Sequence, residues 1–182
     1  MQDVRVDTPH RDEQHQHDDT QHDDTHHDDT HHDETEREID RRSVADWISA
    51  WGREVAAADI AAGRQRFAAQ LSAFGTHADV VRGRDAVEEQ QWSKIWPAIE
   101  DFAFDVDDLD VITSPDRRQA VAAVTWSSTG IGEDGHHFHR PGRATIVLTR
   151  ADVAAPWVGV HTHMSLARGV PDRTYGRREA RR

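Results

Sequence analysis

The sequence predicts an α+β domain, and three observations carry that prediction. Apolar residues recur at helical spacing between Val44 and Ile95, then alternate with period two from Phe102 onward. Turn signals such as Ser114-Pro-Asp and Gly130-Ile-Gly-Glu-Asp-Gly135 separate the later runs, so helices come first and antiparallel hairpin-joined strands follow. The charge is also divided. Residues 1–43 carry 15 acids and 5 basic residues, whereas residues 44–182 carry 19 acids and 17 basic residues, which leaves the body nearly neutral.

That division sets the expected organisation: a tail over 1–43, a domain over 44–170 and a basic C-terminal tail over 171–182. The first tail repeats a five-residue unit, His17-Asp-Asp-Thr20 through His32-Asp-Glu-Thr35. With almost nothing apolar to bury, it is expected to stay disordered. Its imidazoles and carboxylates suit divalent metals, with His22, His26, His27, His31 and His32 as adventitious ligands; the competing reading is a solvating acidic segment. The near-neutral body offers no electrostatic footprint for nucleic acid. The chain has no cysteine, which excludes thiolate metal sites and thiol nucleophiles. No apolar run reaches membrane-spanning length and Met1-Gln-Asp-Val-Arg has no signal-like apolar region, so a cytoplasmic protein without membrane contact is expected.

The elements follow in order. Ser43 caps a helix over about 44–62, with Trp47, Trp51, Val55 and Ile60 on one side and Gly63 at its end. Residues 64–71 read as a short second helix and Ala73–His77 as a short strand. A third helix over about 85–95 carries Val87, Gln91, Trp92 and Ile95, and Pro97 stops it. Residues 102–112 then alternate as a strand. Gln119–Thr129 makes a long strand whose small residues permit curvature, and Arg143–Arg150 makes the next. Trp157–Leu166 closes the sheet. Strict alternation puts Trp157, Gly159, His161, His163 and Ser165 on one face and Val158, Val160, Thr162, Met164 and Leu166 on the other. The first face is aromatic and titratable, and it is expected to look into a pocket.

Three runs carry a family resemblance: Phe74-Gly-Thr-His-Ala-Asp-Val-Val-Arg-Gly-Arg-Asp85, Arg140-Pro-Gly-Arg-Ala-Thr-Ile-Val-Leu148 and Trp157-Val-Gly-Val-His-Thr-His-Met-Ser165. With the element order, they make residues 44–170 resemble a SnoaL-like domain of the nuclear transport factor 2 (NTF2)-like superfamily. The closing strand also resembles that of the calcium/calmodulin-dependent kinase II association domain, which ends in a similar His-x-His run. The resemblance implies a cone: a bent antiparallel sheet wrapped over about three N-terminal helices, with a cavity at the open end and dimerisation through the outer sheet face. Family activities range from isomerases, cyclases and dehydratases to non-catalytic association modules, so the fold does not supply the function. The isomerase pattern does not carry over. Gly75 and Thr76 stand where a carboxylate base would be, and the one tyrosine, Tyr175, lies in the tail.

The resemblance to cyclases makes His161 and His163 the candidate acid–base groups, with His77 and Asp79 behind them. Three readings of the pair remain open. They can act in proton transfer near neutral pH, with Ser165 or an arginine to orient them. They can ligate a metal, which needs a third ligand from His77, His137, His139 or Asp79. Or they can simply hydrogen-bond within the barrel. Arg143, with Arg140, can present a guanidinium to a carboxylate, phenolate or enolate, or can pair with a nearby acid. Trp92, Trp96, Trp126 and Phe74 are candidate apolar walls as well as core, and His139 is a further ligand-contact candidate. The expectation is a small apolar or carbonyl-containing ligand bound without a cofactor in a homodimer. The alternatives are an association module and metal buffering by the tail.

Overall fold

The computed structural model describes residues 25–76, 79–178 and 180–181, with side chains described from Glu34 onward. A long helix, α1 (Thr25–Ala56), is followed by a short α2 (Ile60–Gln65). Val44, Trp47, Ile48, Trp51 and Val55 form one buried stripe on α1, the i, i+3, i+4, i+7 pattern of a core-facing helix. The expected start at residue 44 is corrected: the helix is already formed before it, and Asp40 is buried. The cause is long-range. Asp40 accepts hydrogen bonds from Arg117 and Arg150, 77 and 110 residues away, so no local pattern announces it. The boundary at residue 43 therefore cuts through an ordered helix, while residues 1–24 of the expected tail lie outside the described residues. The expected end at Ala62 also moves. Ala58 takes a positive φ of 50° and Asp59 caps α2 by accepting from the Ala62 amide.

The expected second helix over 64–71 is instead mostly strand: β1 spans Phe67–Phe74. It runs parallel beside the closing strand, β8 (Val158–Leu166), with Ser72 opposite His161 and Phe74 opposite His163. A short β2 (Val81–Arg82) leads into α3 (Arg84–Val87), a π turn (Glu88–Trp92) and α4 (Ser93–Ile95). The strand expected over 102–112 divides into β3 (Ile99–Phe104) and β4 (Asp110–Thr113), with a 3₁₀ turn at Val106–Asp108 between them. The long β5 (Gln119–Ile131), the short β6 (His137–His139) and β7 (Gly142–Thr149) complete the sheet. Its order is β2-β1-β8-β7-β5-β3, with β4 and β6 also paired to β5.

The sheet bends around α1 and buries its even-numbered residues along β5 and β7. Ala120, Ala122, Val124 and Trp126 face inward, as do Ala144, Ile146 and Leu148. The C-terminal segment, expected as a loose basic tail over 171–182, is fastened to the body. Thr174 donates to the Ala98 carbonyl at 2.6 Å and accepts from the Ile131 amide at 2.9 Å. Arg178 donates to the carbonyls of Ala56 and Trp96. It serves the C-terminal end of α1, where carbonyls lack helical partners and a cation is favoured.

Candidate functional site

Inside the bend lies an apolar cavity of about 90 Å³. Trp51 and Val55 of α1 form its floor, and Trp92, Ile95 and Trp96 form one side. Ile99, Phe102 and Trp126 of the sheet form another. The rings pack in pairs: Trp92 on Trp96 at 5.3 Å between centroids, and Phe102 on Trp126 at 5.4 Å. The π turn matters here, because its wider backbone turn carries both Gln90 and Gln91 to the lining. Gly75 makes room for one of them; a Cβ at that position would stand 3.0 Å from the Gln91 amide carbon.

The polar end of the cavity is Arg140, between β6 and β7. It is 1% exposed. Its guanidinium lies 5.6 Å from the Trp126 ring centroid and donates to the Thr76 hydroxyl at 3.3 Å. Burial lowers its pKa to about 10, against a small opposing pull from the exposed Asp172. Thr162 and Met164 of β8 complete the wall.

That last placement overturns the expected facing of the closing strand. Gly159 pairs with Leu148 and His161 pairs with Val147, so Val160 is one residue more than β7 can match. This is a β-bulge, and it reverses the alternation beyond it. Before it, Trp157 and Gly159 face the core; after it, Thr162 and Met164 do. His161, His163 and Ser165 are corrected to the outer face. There the Ser72 hydroxyl meets His161 Nδ1 at 2.9 Å, and Phe74, 39% exposed, sits against both imidazoles at 5.6 and 5.3 Å. Burial lowers the His161 pKa, the neighbouring His163 lowers it further, and a hydrogen bond with the Ser72 backbone opposes both.

Arg143 is likewise on the outside. It lines a shallow groove with Asp108, Asp110, His163 and Ser165, and makes no ion pair among the described residues. His139 is exposed on β6 and Asp79 is exposed beyond β1. His77 lies outside the described residues, as does His22, and the side chains of His26, His27, His31 and His32 are not among those described. Among the described residues no group of three or more histidines and acids is placed to hold a metal. Of the expected site residues that are described, Trp92, Trp96 and Trp126 meet in the cavity, together with Arg140. Trp51, Thr76, Gln91 and Thr162 were not anticipated there. A parity signal separates Arg140 from Arg143: Gly142, Ala144, Ile146 and Leu148 are all small or apolar at even positions, and Arg140 continues that row.

No helix among the described residues is long and apolar enough to cross a membrane. No curated protein matches the chain. Among solved structures, the chain is similar to an NTF2-like superfamily protein from Salmonella enterica, with 20% identity and a TM-score of 0.61 over 76% of this chain and 99% of that one. It is also similar to the S. rosetta CaMKII hub, with 17% identity and a TM-score of 0.57 over 69% and 95%. A ketosteroid isomerase-like protein from Erwinia carotovora atroseptica shares 14% identity at a TM-score of 0.56 over 67% and 90%. Identities this low establish the shared cone fold and nothing of function. The model of the SnoaL-like domain matches residues 44–169, and with the bent sheet wrapped over α1 in an NTF2-like fold this places the chain in the SnoaL-like domain family.

Proposed function

We propose that this protein binds a small molecule in the interior cavity. The observation that carries the reading is a pocket with four tryptophans in its wall and a few polar groups gathered at one end, the usual make-up of a small-molecule site. Its volume, about 90 Å³, is small beside the roughly 300–1,000 Å³ of drug-sized sites. A single-ring ligand suits it better than a polycyclic one. The described lining holds no carboxylate and no imidazole, so it supports binding ahead of acid–base turnover. Proton transfer by His161 or His163 would have to act on a substrate outside the cone.

Toluene tests this reading without a variant. Followed by NMR through the indole N–H signals, it should shift Trp51, Trp92, Trp96 and Trp126 saturably. Trp47 and Trp157 are internal controls, since they bond to the Trp157 carbonyl and the Ser43 hydroxyl away from the pocket. Thr162→Phe should abolish the shifts by filling the space. Uniform shifts, or none, would refute an interior site.

A second reading, self-association through the outer sheet face, is favoured by one observation. A cross-strand row runs Ile112, Val121, Val147, His161, Ser72 over five strands, and Ile112 is 66% exposed. Light scattering on Ile112→Glu against the wild type decides it: a homodimer on this face should dissociate, and an unchanged mass would contradict it.

A further inference from the structure

We propose that the occupant of the cavity is a small organic monoanion, a carboxylate on a compact apolar body, with the Arg140 guanidinium as its counter-ion. This rests on the reading of the cavity as a ligand site and names the ligand class.

The first argument is an imbalance of donors. Among the described residues, six buried side-chain nitrogens have no hydrogen-bond partner, and four belong to residues that line this one cavity: Trp51 Nε1, Gln91 Nε2, Trp126 Nε1 and Arg140 Nε. The other two belong to Arg84 and Arg178, whose guanidinium groups are satisfied through other nitrogens. Buried polar groups are normally paired, so a cluster of exceptions in one place calls for a missing partner. Indole and guanidinium nitrogens only donate. The partner must therefore be rich in acceptors.

The second argument is charge. Of the other arginines with a buried or half-buried charge, Arg64, Arg66, Arg117 and Arg150 each meet a carboxylate, while Arg84 and Arg178 each spread their charge over backbone carbonyls. Arg140 is as buried as any of them and makes no ion pair among the described residues. Its one hydrogen-bond acceptor there is the neutral Thr76 hydroxyl. A buried cation held by a hydroxyl and an indole face lacks its anion, and a planar guanidinium is shaped to take a carboxylate by two parallel bonds.

The third argument selects the rest of the molecule. One cation calls for one negative charge, so a phosphate dianion is over-charged for the site. Most of the remaining wall is aromatic rings and aliphatic chains, which a bare inorganic anion would leave unfilled. A ring of about benzene size with one carboxylate meets every condition.

Benzoate and its neutral isostere benzamide give the test, by calorimetric titration of the full chain. Wild type should bind benzoate at least about tenfold more tightly than benzamide, and Arg140→Met should erase the preference. Inorganic phosphate should not displace benzoate. Equal affinity for both ligands would overturn the anion inference and leave the cavity reading standing. No binding of either would remove both. Retention of the preference in Arg140→Met would overturn the assignment to Arg140, and displacement by phosphate would overturn the requirement for an apolar body. Should Arg140→Met fail to fold, the wild-type benzoate–benzamide comparison still decides, with Thr76→Val expected to narrow the preference.

Discussion

Two side chains of opposite charge, Asp40 and Arg140, are each 1% exposed, and their surroundings differ in kind. Asp40 receives Arg117 Nε at 2.7 Å and Nη2 at 3.0 Å, and Arg150 Nη2 at 2.7 Å. Arg117 also pairs with Glu36, and Arg150 lies 4.1 Å over the Trp157 ring. The charges of this cluster balance. It clamps the extended part of α1 to the turns that flank β5 and β8. Arg140 has a hydroxyl, a ring face and no ion pair among the described residues, with only a weak pull from the exposed Asp172. Burial of a charge therefore says little about its role until its partners are counted. The balanced cluster is architecture; the unbalanced residue is the one on which the proposed site rests.

The contrast predicts opposite responses to removal. Asp40→Ala strands two arginines, and chemical denaturation should show a loss of about 3–5 kcal/mol. A loss below about 1 kcal/mol would erase the distinction. Arg140→Met should act the other way on the ligand-free protein. The fall in the Arg140 pKa from the ordinary guanidinium value to about 10 corresponds to a burial penalty of roughly 3 kcal/mol at neutral pH. Relieving that penalty should leave stability unchanged or raised. A loss of more than about 2 kcal/mol would make Arg140 structural like Asp40.

Titration sharpens the comparison further. Burial tends to raise the Asp40 carboxyl, but the bonds from Arg117 and Arg150 outweigh it and hold its pKa below the ordinary value. The stabilisation it gives is present above about pH 4 and is lost as pH falls through the folded value. The Arg140 pKa is depressed on a base, so the folded form releases its proton first. Above about pH 10, stability should rise while benzoate affinity falls, because the counter-ion is gone. Melting curves and titrations across that range should show the two moving apart. His161 is also a base with a lowered pKa. Acidification below about pH 6.5 should cost a little stability, since the unfolded chain takes up that proton first.

The smallest effects are expected where the sequence drew most attention. His163→Ala and Arg143→Ala remove groups from the outer face, so benzoate affinity should change by less than about twofold. Stability should stay within about 0.5 kcal/mol, the usual range for exposed sites. A tenfold loss of affinity in either variant would move the site to the outside.

Much of the fold could be read locally. The stripe Val44–Val55 and the alternation along β5 and β7 each state their own buried face, and these elements anchor the cone. What escaped depends on partners distant in sequence. Phe67–Leu71 reads as helix until its parallel neighbour β8 is known. Asp40 looks like a tail acid until Arg117 and Arg150 are seen around it. The histidines of β8 were placed on the wrong face because one unmatched residue, Val160, reverses the strand, and no local residue pattern announces a bulge. Arg140 was within reach. The even-numbered row of β7 pointed to it, while the charge of Arg143 at the strand start drew the eye.

On the proposed reading, the working face of this protein is the inside of the cone, with Arg140 at its polar end. A crystal structure of the wild-type chain soaked in benzoate tests it most directly. The account predicts ring density between Trp126 and Trp92, with both carboxylate oxygens within hydrogen-bond reach of the Arg140 guanidinium. Benzoate bound beside His161 and His163 with the interior empty would contradict it.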